Sequence, residues 1–417
     1  MSDSNSRDTM NARSSSGEVP TPCASLPWGG LPGFSSAGWG PEGDSVGRMV
    51  TEKPCLVAPT SPGFDAWFIR CQFPLLEERV DGKRVVWLDN ATTTQKPRRV
   101  IDRLTRFYEH EHGLPARAAV ALEAAREAMR HLINAEMARD VRFVNGAAEG
   151  VRAVAQRWAV TLSPGDEVLA AGGAHLGCWQ AVAASRGAKV KLVPCDDAGV
   201  VHIDLFRPLV TSRTRIVALT HVASAAGTLA PVELLTSIAR RARARVLVDG
   251  TQAIAHVPVD VQAIGCDAYV ISGQHAFGPT GSGAVFCPDD AADDAGLVAD
   301  AVSLGAAAAW LLSVGMKNVA AFEEQLLEHT ASRLAEVPGA TVPNGAAGKI
   351  GVLPVSFAAI PAEEVAASLA RDGIFTSTSA GCLRVAAAVY NSREDIDALV
   401  EALKVLRPAR LRLVTEG

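Results

Sequence analysis

The chain has 417 residues, of which 48% are hydrophobic and 20% are charged, and its formal net charge is −5 at pH 7. That length allows two domains of ordinary size, or one large α/β domain with a smaller companion. The mild acidity provides no basic field, so we expect no nucleic acid partner. No clean apolar run reaches the roughly 18 residues that a membrane-spanning helix needs, so we expect no membrane association.

The N-terminal sequence MSDSNSRDTMNARSSSGE has no apolar core of the kind found in secretory signals. The eight cysteines lie far apart, without a C-x-x-C pair. This spacing indicates neither a disulfide framework nor a metal site. Together these features predict a reducing, cytoplasmic location.

Residues 1–60 are rich in Ser, Gly and Pro. Such a segment cannot bury enough surface to offset its ordering entropy, which predicts a disordered extension. Within it, residues 26–34 (LPWGGLPGF) form a short apolar island. Two interpretations stay open here: a docking peptide for another protein, or a linker with chance aromatic residues.

Beyond the extension, short apolar runs alternate with amphipathic stretches. We predict strands at Val85–Leu88, Val141–Val144, Glu167–Ala170, Val190–Val193, Ile216–Thr220, Arg245–Val248, Ala268–Ser272 and Gly283–Phe286. We predict helices at Pro97–Glu111, Glu149–Ala159, Cys178–Arg186 and Val232–Ala244, with a further helical stretch before Ile216. Strand–helix alternation with almost continuously apolar strands is typical of a mostly parallel sheet covered on both faces. The predicted class is therefore α/β, with a large domain over residues 61–300.

The pattern changes after residue 300. A long amphipathic helix at Val319–Val337 precedes the predicted elements Ile350–Phe357 (strand), Ala362–Asp372 (helix), Leu383–Val389 (strand) and Ser392–Arg407 (helix). The last helix begins with Ser392-x-x-Asp395, which resembles a capping box with Asp in place of Glu. We predict a linking helix and a small α+β domain over residues 301–417.

In open α/β sheets, ligands bind beyond the carboxyl ends of the strands, so the residues that follow each predicted strand are candidates. Ala147 and Ala148 lie where a helix begins, and free amides there can hold a phosphate. His175 follows a glycine pair and is either a stacking residue for a flat ligand or an exposed loop residue. Asp249 ends a buried strand, where a carboxylate needs a partner such as a protonated ring nitrogen, or else caps the next turn.

Three further candidates come from two later segments. Ser272 begins a loop with three glycines and a proline, and its hydroxyl can donate to a phosphate. In the same loop His275 is a candidate base or simply a polar loop residue. Arg384 enters an apolar strand and needs an anionic partner, which is either a substrate carboxylate or an internal Asp or Glu.

Taken in order, these stretches resemble the SUF-type (group II) cysteine desulfurases, which are fold-type I, pyridoxal-phosphate (PLP) enzymes of the class V aminotransferase group. The matching segments are Leu88-Asp89-Asn90-Ala91-Thr92-Thr93-Thr94-Gln95-Lys96-Pro97, Gly146-x-x-Glu149-Gly150, Thr220-His221-Val222, Val248-Asp249-Gly250-x-Gln252, Ser272-Gly273, Gly278-Pro279-Thr280-Gly281-x-Gly283 and Tyr390-Asn391. The resemblance covers about Phe64 to Arg407 and implies a fold-type I architecture, PLP as cofactor, and a homodimer or a heteromer with an active desulfurase.

The low-complexity extension also resembles that of desulfurases packaged inside encapsulin shells. This narrower resemblance implies contact with a shell through residues 26–34 and a location inside a protein nanocompartment.

Carried over residue by residue, the resemblance implies roles for eight positions. They are stacking on the pyridine ring (His175), pairing with the ring nitrogen (Asp249), contact near the ring hydroxyl (Gln252, and Ser224 at the position of a family Asn), phosphate binding (Ser272 and the backbone of Ala147 and Ala148) and binding of the amino acid carboxylate (Arg384).

The chain departs from the family pattern at important points. The family reads Ser-Gly-His-Lys, and that Lys binds PLP covalently, but here His275 stands at the Lys position. An imidazole forms no stable imine, so we expect no covalent attachment. Ala147 and Ala148 replace two threonines of the phosphate turn. The segment at Gly113–Arg117 is shortened, and much of the stretch between Phe286 and Ser303, which in the family reaches across the dimer, is missing.

The sulfur-accepting cysteine is the last departure. In the family it precedes the Arg strand by about a dozen residues on a mobile loop, whereas Cys382 lies directly before Leu383-Arg384. We interpret Cys382 as a buried small residue rather than a nucleophile.

Three hypotheses follow. The first is a degenerate homologue without desulfurase activity, which acts as a partner or shell-loaded subunit in sulfur metabolism. The second is a PLP-dependent enzyme that holds its cofactor non-covalently and uses His275 as a base. The third, which similarity alone suggests, is an active cysteine desulfurase. The first depends on the absence of a primary amine: Lys96 or Lys349 placed close to Asp249 would overturn it.

Overall fold

A computed structural model describes residues 65–171, 175–196, 199–288, 297–343 and 345–406. These residues belong to one structural unit, Cys55–Gly417. The predictions of a disordered extension over 1–60 and of an apolar docking segment at 26–34 lie outside the described residues.

The described part of the chain alternates helices and strands. Its strands are β1 (Arg79–Val80), β2 (Lys83–Arg84), β3 (Val86–Trp87), β4 (Val141–Val144), β5 (Glu167–Ala171), β6 (Lys189–Val193), β7 (Thr214–Thr220), β8 (Arg245–Asp249), β9 (Ala268–Ser272), β10 (Gly283–Phe286), β11 (Ala340–Thr341), β12 (Val352–Phe357), β13 (Ile374–Phe375), β14 (Ser377–Ser379) and β15 (Cys382–Ala386). Its helices are α1 (Ala66–Arg70), α2 (Arg98–His110), α3 (Pro115–Leu132), α4 (Gly146–Ala159), α5 (Leu176–Ser185), α6 (Ile203–Phe206), α7 (Val232–Arg241), α8 (Val261–Ile264), α9 (Val298–Val314), α10 (Met316–Leu334), α11 (Ala362–Arg371) and α12 (Arg393–Val405).

Seven strands form the central sheet, in the order β4-β10-β9-β8-β7-β5-β6. β5 to β9 pair in parallel, and β10 runs antiparallel to both of its neighbours, β9 and β4. Parallel neighbours need a crossover that covers a face of the sheet, whereas a short loop joins β9 to β10 and reverses the direction of the chain. Buried apolar clusters lie on both faces. The predicted α/β class with a mostly parallel sheet is therefore confirmed.

A smaller antiparallel sheet follows, in the order β11-β12-β15-β14. It packs against α10, α11 and α12 around an apolar cluster that includes Leu326, Leu369 and Leu399. The predicted capping box at Ser392 and Asp395 is confirmed at the start of α12. The Asp395 side chain is fully buried, and Arg70 (3.0 Å) and Arg84 (2.8 Å) pair with it. This cluster ties the segment before the central sheet to the last helix.

Several predicted boundaries differ from the structure. The strand predicted at Leu383–Val389 ends at Ala386, and the buried residues after it form a turn. Sequence analysis gave no helix over α3, whose 18 residues mix Ala with charged side chains and leave a weak apolar stripe. This helix is stabilised by packing against α9, where a Cβ on Gly305 would lie 2.3 Å from the Cβ of Ala125.

Within the described residues, no single helix is long and apolar enough to cross a membrane. α9 and α10 pass that test of length and composition only as a pair, with a bend of 75° between them.

Candidate active site

A cavity of about 590 Å³ lies at the carboxyl ends of the parallel strands. Residues that follow β4, β5, β6, β7, β8 and β9 meet there, as expected for an open α/β sheet. Eight of the ten predicted site residues line it: Ala147, Ala148, His175, Ser224, Asp249, Gln252, Ser272 and His275. Among the described lining residues there is neither a lysine nor an arginine.

Asp249 is the buried carboxylate of this cavity. Its Oδ1 accepts a hydrogen bond from the backbone N–H of Thr251 (3.0 Å), and its Oδ2 lies 3.5 Å from Nε2 of His175. Burial raises the pKa of Asp249, but the interactions with His175 and Thr251 outweigh this effect and the net shift is downward. An ionised carboxylate at the end of β8 is a suitable partner for a cationic ring nitrogen.

Close packing behind Asp249 fixes its backbone. A Cβ on Gly250 would lie 2.1 Å from the ring of Tyr269, so only glycine fits at this position. The Tyr269 hydroxyl lies 2.9 Å from Nδ1 of His221, and the backbone N–H of His221 donates to the carbonyl of Asp249 (2.9 Å). Burial lowers the pKa of His221 to about 4, which keeps this ring neutral at pH 7.

His275 is held between two partners. Its Nε2 lies 3.2 Å from the carbonyl oxygen of Ala91, and its Nδ1 lies 3.1 Å from Oγ of Ser272. Burial lowers the pKa of His275 to about 4, so the ring is neutral at pH 7. A carbonyl oxygen only accepts, so Nε2 carries the proton and Nδ1 accepts from the Ser272 hydroxyl. The lone pair on Nδ1 of His275 therefore already accepts a hydrogen bond from Ser272.

The Ala91 carbonyl also accepts from the side-chain amide of Gln252 (3.0 Å). Two donors thus share one carbonyl oxygen, whose two lone pairs are sufficient for both. The matching segment that begins at Leu88 therefore contacts two side chains of the cavity lining through its backbone. Gln252 lies in the cavity wall, but its amide donors point toward this carbonyl.

Neither alternative lysine lines the cavity. Nζ of Lys96 donates to the carbonyls of Thr94 and Gln274, and burial lowers the pKa of Lys96 to about 8. Lys349 lines a different cavity of about 330 Å³, together with His256 and Glu323. Burial also lowers the pKa of Lys349. Neither amine is part of the lining, but Lys96 lies close enough to His275 to contribute, after burial, to the lowering of its pKa.

Arg384 and Cys382 are not among the lining residues. Arg384 donates to the hydroxyls of Ser377 and Thr92 and to the backbone carbonyl of Ser224 (3.4 Å). Its Nη2 lies 3.9 Å from Oδ1 of Asp89, so an internal carboxylate provides the nearby negative charge.

Cys382 begins β15 directly after a tight turn, in which both Ala380 and Gly381 have positive φ. Ser379 of β14 pairs with Cys382 of β15, so two residues lie between the strands. The thiol is therefore attached to a hairpin and not to a long loop. The prediction that Cys382 is buried is wrong, because this hairpin lies at the edge of the small sheet and leaves the residue partly exposed.

The lining residues that sequence reasoning missed include Cys195 and Asp196. Both directly follow β6, so the rule that ligands bind beyond the strand ends could have identified them. Cys195 is an exposed free thiol. Among the described residues, no group of three or more His, Cys, Asp or Glu is placed to hold a metal ion.

Comparison with known proteins places these observations in context. The profile of the family described as "Aminotransferase class-V" matches residues 86–296 and 294–399. A cysteine desulfurase of Synechococcus elongatus is 36% identical, in an alignment that takes in 84% of this chain and 65% of that protein. A cysteine desulfurase of Salmonella gallinarum is 31% identical, in an alignment that takes in 80% of this chain and 96% of that protein. Among solved structures, a cysteine desulfurase of Escherichia coli aligns with a TM-score of 0.73 at 27% identity. The alignment covers 81% of this chain and 97% of that structure.

The curated relatives differ in length from this chain. It spans 65% of the Synechococcus protein and 58% of a probable cysteine desulfurase of Mycolicibacterium paratuberculosis. The Synechococcus alignment runs over 407 positions although it takes in only 84% of these 417 residues. That relative therefore has internal segments without a counterpart here, in agreement with the shortened stretches noted in the sequence.

Proposed function

The chain belongs to the class V aminotransferase family and has the fold-type I architecture of its cysteine desulfurase homologues. From this premise we propose that it binds a pyridine ligand reversibly and lacks desulfurase activity. Class V aminotransferases and cysteine desulfurases are PLP enzymes, so a B6-type ring is the ligand to expect. The proposal concerns how this chain holds the ring and which reaction it no longer supports.

One observation carries the proposal. The position of the family's PLP lysine is His275, and the described residues that line the cavity include no lysine. The amine of Lys96 is not part of the lining and donates to two carbonyls, one of which is that of the lining residue Gln274. Without a primary amine in the cavity, PLP has no covalent anchor, and the desulfurase reaction loses its usual starting point.

The ring end of the cavity still fits PLP. Asp249 supplies a carboxylate for the ring nitrogen, which would make the ring an electron sink. His175 lies 3.5 Å from that carboxylate, where it can stack on a flat ring. These residues support reversible binding, although the departures at the phosphate end are larger.

At the predicted position, Cys382, the sulfur-transfer step lacks a suitable nucleophile; the exposed thiol that does line the cavity, Cys195, lies just after β6 and not before the strand of Arg384. Persulfide formation needs a thiolate that can approach the substrate sulfur. Cys382 lies on a two-residue hairpin turn and is not among the residues that line the cavity. This geometry supports a role outside sulfur abstraction. We propose that the chain acts as a non-catalytic partner of an active desulfurase or as a subunit carried inside a nanocompartment.

A PLP-dependent enzyme with His275 as the base is the second candidate. Its supporting observation is a neutral imidazole at the position of the lysine, beside Ser272. However, Nε2 donates to Ala91 and Nδ1 accepts from Ser272, so in this arrangement the imidazole can take a proton only through the Ser272 hydroxyl and not directly from a ligand. The first candidate therefore fits the geometry better.

The test compares the wild-type protein with His275→Lys. Each is dialysed, mixed with PLP and L-cysteine, and assayed for sulfide against PLP alone. We expect no sulfide above background from the wild type. After borohydride reduction, mass spectrometry should find PLP attached at position 275 only in the variant. Sulfide release by the wild type at a rate well above the PLP background would refute the proposal.

A matched variant separates binding from chemistry. Asp249→Asn keeps the size of the side chain but removes the negative charge that faces the ring nitrogen. We expect it to weaken reversible PLP binding by about tenfold, in line with the loss of one charge-assisted hydrogen bond. Binding that is unaffected by this change would show that the ring lies elsewhere.

A further inference from the structure

The phosphate end of the cavity differs from its ring end, and this difference points to a ligand preference. We propose that the cavity recognises an unphosphorylated pyridine ring about as well as its 5′-phosphate, so that it does not select for phosphate. This inference rests on the proposed function, because it refines which form of the ring the site takes.

The first argument is charge. The described lining residues include Asp249 and Asp196, but no lysine or arginine. His275 is neutral because its burial disfavours the imidazolium form. A phosphate dianion would thus share the cavity with the Asp249 carboxylate and touch no lysine or arginine of the described lining. The Asp196 carboxylate faces His202 (3.0 Å), and the ammonium group of Lys96 acts on His275 from outside the lining. Coulomb interactions at such distances are substantial inside a protein, so this lining disfavours a phosphate.

The second argument concerns the start of α4. Helix N-termini attract anions, and a carboxylate of this chain already bonds the residue that caps this helix, although it leaves the amides of the first turn to a ligand. Oε2 of Glu149 accepts the backbone N–H of Asn145 (3.0 Å). Oε1 of Glu149 lies 3.9 Å from Arg152, whose charge is therefore partly balanced within the helix. A ligand phosphate would therefore share this end of the helix with an internal carboxylate.

The third argument is the supply of side-chain donors. Ala147 and Ala148 have no hydroxyl group. The Ser272 hydroxyl donates to Nδ1 of His275, and the Ser282 hydroxyl donates to the carbonyl of Pro279 (2.7 Å).

The amide of Gln274 is committed in the same way, because it donates to the carbonyl of Thr92 (2.6 Å). At this end of the cavity, the remaining donors among the described lining residues are the backbone amides at the start of α4 and the exposed side-chain amide of Asn145. A phosphate would therefore gain few hydrogen bonds in return for the water that it loses.

His275 has a specific part in this arrangement. A lysine at position 275 could not accept a hydrogen bond from Ser272, since an ammonium group only donates. The imidazole does accept, and in doing so it turns the hydroxyl proton of Ser272 away from the ligand. The substitution therefore removes two things at once: the covalent anchor and a phosphate donor.

The experiment uses pyridoxine and pyridoxine 5′-phosphate, because these alcohols do not react with surface amines. Isothermal titration calorimetry of the wild-type protein gives the two dissociation constants. We expect them to agree within about threefold. A dissociation constant for the phosphate form that is at least tenfold lower would overturn the inference while leaving the proposed function intact. Sulfide release by a protein that binds both forms equally would refute the proposed function alone.

Variants sharpen the test. Ala148→Thr places a hydroxyl at an exposed position of the first turn of α4, and Ala148→Val adds similar bulk without a donor. We expect the Thr variant to bind the phosphate form about tenfold more tightly than the Val variant does, with equal affinity of both for pyridoxine. No difference between Thr and Val, or failure of the wild type to bind either alcohol, would contradict the assignment of this end of the cavity.

Discussion

The buried imidazole of His275 makes the stability of this protein depend on pH in a way that can be calculated. Burial lowers the pKa of His275 from 6.5 to about 4 in the folded protein. Between these two values the unfolded chain binds more protons than the folded one, so the free energy of unfolding falls as the pH falls from about 6.5 toward 4. Linkage with these pKa values gives a loss of about 2 kcal/mol between pH 7 and pH 5.

His275→Gln isolates this contribution. A glutamine amide can donate to Ala91 and accept from Ser272 as the imidazole does, but it does not titrate. His221, whose pKa burial also lowers to about 4, is present in both proteins, so its contribution cancels in the comparison.

The assay is urea denaturation of wild type and variant at pH 7 and pH 5, with unfolding followed by circular dichroism. Relative to the wild type, the variant should gain about 2 kcal/mol on going from pH 7 to pH 5. A difference between the two proteins that stays constant over this range would refute the reasoning, because it would mean that His275 is not desolvated.

Two further predictions concern groups away from the cavity. Asp395→Ala leaves the guanidinium of Arg70 buried without its carboxylate and should lower the free energy of unfolding by about 3–5 kcal/mol. Asp397 is half-exposed, so Asp397→Ala should lower it by less than about 1 kcal/mol. Urea denaturation measures both losses, and equal losses would contradict the prediction. At pH 8, iodoacetamide should modify the exposed Cys195 well before the buried Cys266, because burial raises the pKa of Cys266 to about 12. Peptide mass spectrometry measures the order of modification, and modification of Cys266 first in the folded protein would disprove the prediction.

The order of motifs along the chain determined the family resemblance and the architecture. Near-continuous apolar strands such as Val141–Val144 and Ala268–Ser272 predict burial on both faces, and the structure has them inside the central sheet. Because parallel strands end at one edge, the residues that follow them converge without further information. This is why Asp249, Ser272 and His275 could be assigned to one site from the sequence.

Tertiary structure alone decided which atoms are available at that site. The carbonyl of Ala91 lies 184 residues before His275 in the chain, yet it fixes which imidazole nitrogen carries the proton. The same holds for Lys96, whose amine binds the carbonyl of Gln274, 178 residues later. Local sequence does not encode such contacts, because they arise when distant segments pack around a common core. The residue types at the site therefore follow from the sequence, while the direction of each proton follows from the packing.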